Sequence, residues 1–448
     1  MSIIIPANSA AGGGVYDVAN SLMFNGPDSA NMTRSASGSS ATKSTFSFWV
    51  KRSKLADTQI IHNFYSATTT YNKLYFDGND QFIMKQQVSG STQIQIMPSM
   101  KFRDTSAWYH IVYIVDPTES TEANRVKVYV NGIQITSFGT STYPAEDAAV
   151  RVEYNQFIGR EYSGDTKFFN GYLAEFVFLD GVAASIGDLG EFDEDSGIWK
   201  PIDVSGLTFG SRGFYLDFED SSALGNDAVG SNNFTANNLA ATDQATDTCT
   251  NNFATMNIID AGGPSLTFSN GNTTIVSSDN TWRSGFNTIA PSKGKWYFEA
   301  KYVGSSTNNW IGVVDTEQVN STSNTGDFKI TDRSRFYGIS QTGQKGNNGS
   351  ESNWGSSYSQ NDIVGVAFDL DNHKIYFSKD GTFQNSGNPE SGATGTGSMY
   401  DLATGYFYMV GSSYYSSSAS ISYNFGSPYF AISSGNSDAD GHGNFEYA

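Results

Sequence analysis

Three sets of residues in this chain have the types and spacing that chemistry needs. The first is acidic. Glu191, Asp193 and Asp195, in GEFDEDSG, recur at every second position, and on a strand that spacing would line one face with carboxyls. Two carboxyls so held carry out glycoside hydrolysis, one as acid and the other as nucleophile or base. Their neighbours Gly190 and Ser196-Gly197 are turn residues, so a solvated acidic loop is expected and no catalytic residue is assigned. The second set is oxygen ligands. Asp77, Asn79 and Asp80 fall on one Asp-Gly-Asn-Asp loop, and calcium takes such oxygens. They are the candidate calcium site, with Asp369 and Asp371 as a second place of the same chemistry. Asp and Asn also make turns by bonding their own backbone, which is the competing expectation at both. Zinc is not expected, because His62, His110, His373 and His442 lack paired spacing and Cys249 is the single cysteine. The third set is aromatic. Trp282, Trp354, Tyr358 and Tyr414 lie near Asn-, Ser- and Gly-rich stretches, the surroundings of a sugar platform, where a ring meets C–H faces and amides meet hydroxyls. These four are the candidate glycan contacts. There is no GxSxG elbow, Walker A loop or dinucleotide fingerprint, and the chain is expected not to be an enzyme.

The elements that would position these residues are strands. Asn361 to Gly381 reads NDIVGVAFDLDNHKIYFSKDG, with period-2 alternation on both sides of a short Asp/Asn turn. Val126 to Ile135, VKVYVNGIQI, repeats the device around Asn131-Gly132. STFSFWV (44–50), IIHNFY (60–65), KLYFD (73–77), QFIMK (81–85) and TQIQIM (92–97) follow one another at short spacing. WYHIVYIVD (108–116) is apolar on both faces and is expected to be a central strand covered on both sides. Similar runs return from about Pro264. The fold expected is all-β: two antiparallel β-sandwich (jelly-roll) domains in tandem.

Composition bounds the partners. The chain has 448 residues, 14% of them aromatic, and a net charge of -19. No Lys/Arg stripe is present, so nucleic-acid binding is not expected, since phosphate neutralisation needs clustered cations. One cysteine excludes an internal disulfide. MSIIIPANSAAGGG has neither a basic region nor a long apolar run, so a secretory leader and membrane insertion are not expected.

Resemblances sharpen this outline. Trp108-Tyr109-His110, the Val126–Gly132 hairpin, Phe157-Ile158-Gly159 and Phe169-Asn170-Gly171-Tyr172-Leu173-Ala174-Glu175-Phe176 resemble the laminin-G / concanavalin A-like lectin family. That resemblance implies a jelly roll, glycan or protein ligands, and often calcium at a loop rim. Lys295-Trp296-Tyr297-Phe298-Glu299, Trp310-Ile311-Gly312-Val313, Tyr337-Gly338, Asn361-Asp362-Ile363-Val364-Gly365 and Ile375-Tyr376-Phe377 before Asp380-Gly381 are similar to the SPRY family. That implies a bent two-sheet sandwich presenting loops to a protein. The domains expected are a flexible arm at 1–20, the lectin-like sandwich at 21–220, an Asn/Thr-rich linker at 221–263, the SPRY-like sandwich at 264–431 and a tail at 432–448. In the tail, Phe445 and Tyr447 are expected to dock. The whole order, with FSFWVKR (46–52) and TNNFATMN, resembles virion structural proteins of tailed bacteriophages. This implies a tail-fibre or adhesin component binding a host-surface glycan or protein, assembled in the host cytoplasm beside other virion proteins, with a homotrimer by analogy. A capsid decoration protein and a polysaccharide hydrolase are the alternatives.

Overall fold

In a computed structural model of the protein, the described residues are 16–162, 166–259, 265–305, 308–320, 330–433, 435–439 and 441–447. They form two compact units that divide between Asn252 and Phe253. Each is built of antiparallel sheets, as the alternation required.

In the first unit one sheet runs Ile133–Gln134, Val126–Val130, Trp108–Val115, Ser44–Arg52, Gly171–Asp180, Ser21–Phe24 and Gln244–Ala245, with Phe214–Leu216 also against Gly171–Asp180. The other runs Phe138–Thr142, Ser91–Pro98, Phe82–Val88, Thr70–Phe76, Gln59–Ala67, Asn155–Ile158, Asn31–Arg34 and Thr235–Asn237. Period-2 alternation sends one set of side chains inward. Phe46, Phe48, Phe64, Phe76, Phe82, Phe176 and Phe178 form one continuous core from both sheets. Most of their ring contacts are edge-on or tilted, the geometry the ring quadrupole favours. His62 sits among these rings, and burial lowers its pKa to about 3, so it is a neutral core residue.

The first sheet is covered on its far side too. Val112, Ile114, Val177, Leu179 and Tyr215 pack under Leu189 and Val204. Lys51 Nζ reaches Asp247 Oδ2 and Asn252 Oδ1, each at 2.7 Å. Trp108 Nε1 donates to Asp247 Oδ1 at 2.9 Å. His110 lies between Trp49 (4.7 Å) and Trp199 (6.0 Å), both stacked. Trp199 Nε1 donates to His110 Nδ1 at 2.8 Å, so it is Nε2 that carries the proton toward Ser47 Oγ. Burial takes the His110 pKa to about 3. Trp108–Val115 is thus the doubly covered strand its apolar faces required.

The Asn131-Gly132 turn has φ of 48° and 75°, both left-handed as a tight hairpin turn requires. A Cβ on Gly132 would lie 2.2 Å from Trp199 Cε3. Gly132→Ala therefore combines an unfavourable φ with a clash against the indole that holds His110. A loss of about 2–4 kcal/mol is expected, read as a lower thermal midpoint of the first unit with quenched tryptophan fluorescence altered.

Two boundaries differ from expectation. The first unit continues past 220 to Asn252. Within the expected linker, Thr235–Asn237 pairs with Asn31–Arg34 and Gln244–Ala245 pairs with Ser21–Phe24. Phe234 is in the core. The segment's polar composition hid this, because its strands are two or three residues long and each adds only at a sheet edge. Most of the expected arm, 1–15, lies outside the described residues, but Tyr16 and Val18 are not frayed. Val18 is 3% exposed, and the Tyr16 hydroxyl donates to Glu175 Oε2 at 2.9 Å.

In the second unit one sheet runs Leu266–Ser269, Thr274–Ser277, Ser420–Asn424, Lys295–Tyr302, Ile363–Asp369, Lys374–Lys379 and Thr382–Phe383. The other runs Arg283–Phe286, Tyr408–Tyr414, Asn309–Asp315, Phe336–Ser340, Gln344–Asn347 and Ser350–Asn353. The hairpin at 361–381 forms with Asp369 opposite Lys374, and Val364, Val366, Phe368, Ile375 and Phe377 face the core. The tail docks as expected. Phe445 packs 5.2 Å from Tyr297, and the N–H groups of Glu446 and Tyr447 donate to the buried Glu299 carboxylate at 3.1 and 2.7 Å.

Candidate ligand-binding face

The far side of the first sheet in the first unit is covered, so the open sheet face of that unit is the outward face of the second sheet. Its residues follow from strand register. One row crosses the sheet as Thr33, Phe157, Asn63, Lys73, Lys85, Gln95 and Thr142, each opposite the next on neighbouring strands. The adjacent row is Asn155, Tyr65, Tyr71 and Gln87. Tyr75 stands two residues beyond Lys73 on the same face. The result is a band of phenol rings, amides and ammonium groups.

The rings are assembled. Tyr162 lies over Tyr65, with centroids 3.7 Å apart and 20° between planes, and Phe157 meets Tyr162 at 5.1 Å. Tyr162 is 42% exposed. Lys73 Nζ sits 4.8 Å from the Tyr71 ring and 5.0 Å from Tyr75. It donates to Glu161 Oε1 at 3.0 Å, and Lys167 takes Glu161 Oε2. Burial lowers the Lys73 pKa, Lys167 and Lys85 push the same way, and Glu161 opposes them. Burial works against ionisation of Glu161, but Lys167 and Lys73 outweigh it and hold the carboxyl below the usual range. Asn63, 1% exposed, lies in the middle row with its Oδ1 unpaired. An unsatisfied buried acceptor costs about 1–3 kcal/mol, and its burial keeps this one out of a ligand's reach.

The expected sites fare differently. Tyr414 is 0% and Tyr358 3% exposed, so neither presents a ring, and both are corrections. Tyr414 Oη pairs with Tyr423 Oη at 2.8 Å inside the second core. Its neighbour Tyr415, on the other face of an extended chain, is the exposed member at 37%. Trp282 is half-buried and meets Tyr415 at 5.0 Å. Trp354 is half-buried against the core, 6.4 Å from Phe377. The four aromatics do not converge.

Asp80 is also corrected as a calcium ligand. It is 2% exposed, and its Oδ1 accepts from Arg52 (3.1 Å) and the Ala56 N–H (2.7 Å) while Oδ2 accepts from Arg103 (3.0 Å). Asp77 Oδ1 accepts the N–H groups of Asn79 and Gln81, each at 2.9 Å, a turn-forming role. Asp369 does likewise with Asp371 and Asn372. Among the described residues no group of three His, Cys, Asp or Glu is placed to hold a metal. Glu191 lies on a two-residue strand paired with Trp199–Lys200, and Asp193 and Asp195 lie in the exposed turn that joins the two. Asp193 Oδ1 accepts from Asp195, Ser196 N–H and Ser196 Oγ, and Lys200 bonds both Glu191 and Asp193. The Ser196 hydrogen bonds take the Asp193 pKa down to about 2, the wrong direction for a general acid. A cleft of about 450 Å³ in the same unit, lined by Leu224, Asn226, Asn233, Phe234 and Leu239, carries no titratable group.

The aromatic face was missed because its rows cross seven strands. Tyr71, Lys73 and Tyr75 alternate visibly with Leu74 and Phe76, but only register brings Asn63 and Lys85 beside them.

Residues 25–184 match the family model of the concanavalin A-like lectin/glucanases superfamily, and residues 295–400 match the SPRY domain. No curated protein matches the chain. Among solved structures, the SPRY domain of human HERC1 is similar at 15% identity, covering 38% of this chain and 96% of that one, with a TM-score of 0.30. A putative carbohydrate binding protein from Bacteroides ovatus is similar at 16% identity over 50% of this chain and 59% of that one, with a TM-score of 0.36. A heptameric SAP-like pentraxin from Limulus polyphemus is similar at 15% identity over 38% and 81%, with a TM-score of 0.29. The chain is a tandem of two antiparallel β-sandwiches, the first similar to the concanavalin A-like lectin/glucanases superfamily and the second to the SPRY domain.

Proposed function

We propose that this chain is a non-enzymatic binding protein that takes a glycan on the outward face of its lectin-like sandwich. The observation that carries this is the Tyr65–Tyr162 stack with Tyr162 exposed at its top, a ring platform of the kind that a sugar's C–H face meets. The family match to lectin-type domains supports it. The SPRY-like sandwich supplies a second surface for a protein partner, in keeping with that family's use of loops. The setting proposed is the virion of a tailed bacteriophage, in a tail fibre or adhesin, and its support is the resemblance of domain order and connector sequence.

The test is affinity electrophoresis of the full chain through host-envelope polysaccharides. Tyr162→Ala removes the ring exposed at the top of the stack and is expected to weaken retention about tenfold, worth about 1.4 kcal/mol, with an unchanged thermal midpoint. Retention equal to wild type would move the site elsewhere. Release of reducing sugar from any retained polysaccharide would sink the non-enzymatic reading. Immunogold labelling of phage particles tests the setting separately.

A further inference from the structure

Lys73 and Lys85 stand directly opposite one another on neighbouring strands, with Asn63 and Gln95 on either side. Like charges directly opposite in a sheet destabilise it. Most of the chain's cations are balanced differently: Lys51, Arg52, Arg212 and Arg335 each sit against a carboxylate at 2.6–3.1 Å. On this face Lys73 and Lys167 share the carboxylate of Glu161, and Lys85 stands near enough to lower the Lys73 pKa. Among the described residues no carboxylate pairs with Lys85. A chain of net charge -19 thus sets, among the described residues, three lysines about one glutamate on the face that also holds the Tyr65–Tyr162 stack.

We infer that the ligand of this face is an acidic polysaccharide, with its carboxylate or sulfate groups set between Lys85 and Lys73 and its sugar rings on Tyr65, Tyr71 and Tyr162. The inference rests on reading this face as a glycan site. An anion here relieves the Lys73–Lys85 repulsion. Gln87 and Gln95 extend the amide edge on the far side. Nucleic acid fits less well. It carries a phosphate at every nucleotide, and its binding needs a cationic groove that tracks the backbone. The cations here form one short cluster, matched to a polymer with more widely spaced charges.

The experiment is thermophoretic titration of the full chain with polygalacturonate, heparin and polysialic acid. Each is paired with its neutralised form (methyl-esterified, desulfated or reduced), and oligo-dT is included. At least one acidic polymer is expected to bind about tenfold tighter than its neutral form, with affinity falling as salt rises. Lys85→Gln should weaken that binding about fivefold, and Lys85→Glu should abolish it, neither with a lowered thermal midpoint, since each removes the Lys73–Lys85 repulsion. Neutral forms binding as well as acidic ones, or indifference to Lys85→Glu, overturns the inference and leaves the glycan reading standing. Oligo-dT binding tighter than every acidic polysaccharide overturns it in favour of nucleic acid. No binding of any acidic or neutral polymer overturns both the inference and the glycan reading.

Discussion

Asp80→Ala lowers the stability of the first unit by about 3–5 kcal/mol, because it leaves Arg52 as an unpaired charge in the interior. Arg52 is 0% exposed. Its Nη1 donates to Asp80 Oδ1 at 3.1 Å and to the Phe102 carbonyl at 2.7 Å, and its guanidinium lies 4.2 Å from the Phe76 ring. Burial pulls the Arg52 pKa down and Asp80 is the largest influence holding it up. Burial resists ionisation of Asp80 as well, yet the Ala56 N–H, Arg103 and Arg52 together keep its carboxyl below the usual range. The sign follows. A carboxyl depressed in the folded state stabilises fully above its unfolded pKa near ~4 and loses that contribution as pH falls through the folded value. Calorimetry at pH 7 should show one of the chain's transitions moved down in Asp80→Ala, with the other unmoved. The double variant Arg52→Met/Asp80→Leu should recover much of the loss, since an apolar pair of similar volume replaces a desolvated ion pair. If Asp80→Ala melts like wild type, the pair is not the anchor described. The acid limb of stability separates the same pair from a calcium site, because added calcium should leave the wild-type midpoint in place.

The strand framework was legible in the sequence wherever a run was long enough to alternate. Thr70–Phe76, Ser91–Pro98 and Ile363–Asp369 lie where their period-2 patterns put them. Doubly apolar Trp108–Val115 announced a sheet covered on both sides, and the structure shows what covers it. Composition misled at 221–252, where two- and three-residue strands leave no pattern. The sites were less legible for a different reason. Asp80 looks like a loop ligand until Arg52, 28 positions earlier, is brought against it. Tyr414 and Tyr415 differ by one position, and one position decides inside from outside. The face built from Tyr65, Tyr71, Lys73, Lys85 and Tyr162 needs three strands and a loop in register. A single sequence gives each strand's faces but not which strands are neighbours.

Raising the pH from 4.5 toward 7 and beyond destabilises the first unit through Glu175, whose pKa burial lifts to about 7. The cause is placement. Glu175 interrupts the Gly171–Asp180 strand at a bulge, with φ of 50°, where pairing with Ser44–Arg52 shifts between Ala174 and Val177. The carboxyl is thereby turned beneath Tyr16 and Tyr215, whose hydroxyls reach Oε2 at 2.9 and 2.7 Å and each other at 2.8 Å. Those phenols favour the anion, but burial outweighs them, and Asp217 and Glu219 repel it further. Asp203 and Asp17 add negative charge to the same cluster through Tyr16 and Cys249. An acid with a raised folded pKa binds its proton more tightly folded than unfolded. Its favourable contribution is therefore complete below 4.5 and is lost as pH climbs through about 7. At about 1.4 kcal/mol per pH unit the total is on the order of 3 kcal/mol. Glu175→Gln keeps the shape and an acceptor without the charge. It should match wild type near pH 4.5, exceed it at pH 8 and flatten the alkaline slope of the first transition. Tyr16→Phe should act oppositely, because removing one donor raises the carboxyl pKa further and steepens the loss, and proteolysis near residue 16 should become faster at pH 8 than at pH 6. Denaturant unfolding across that range measures both variants. A wild-type profile as flat as that of Glu175→Gln would mean the carboxyl stays ionised and the bulge holds it by some other balance of forces.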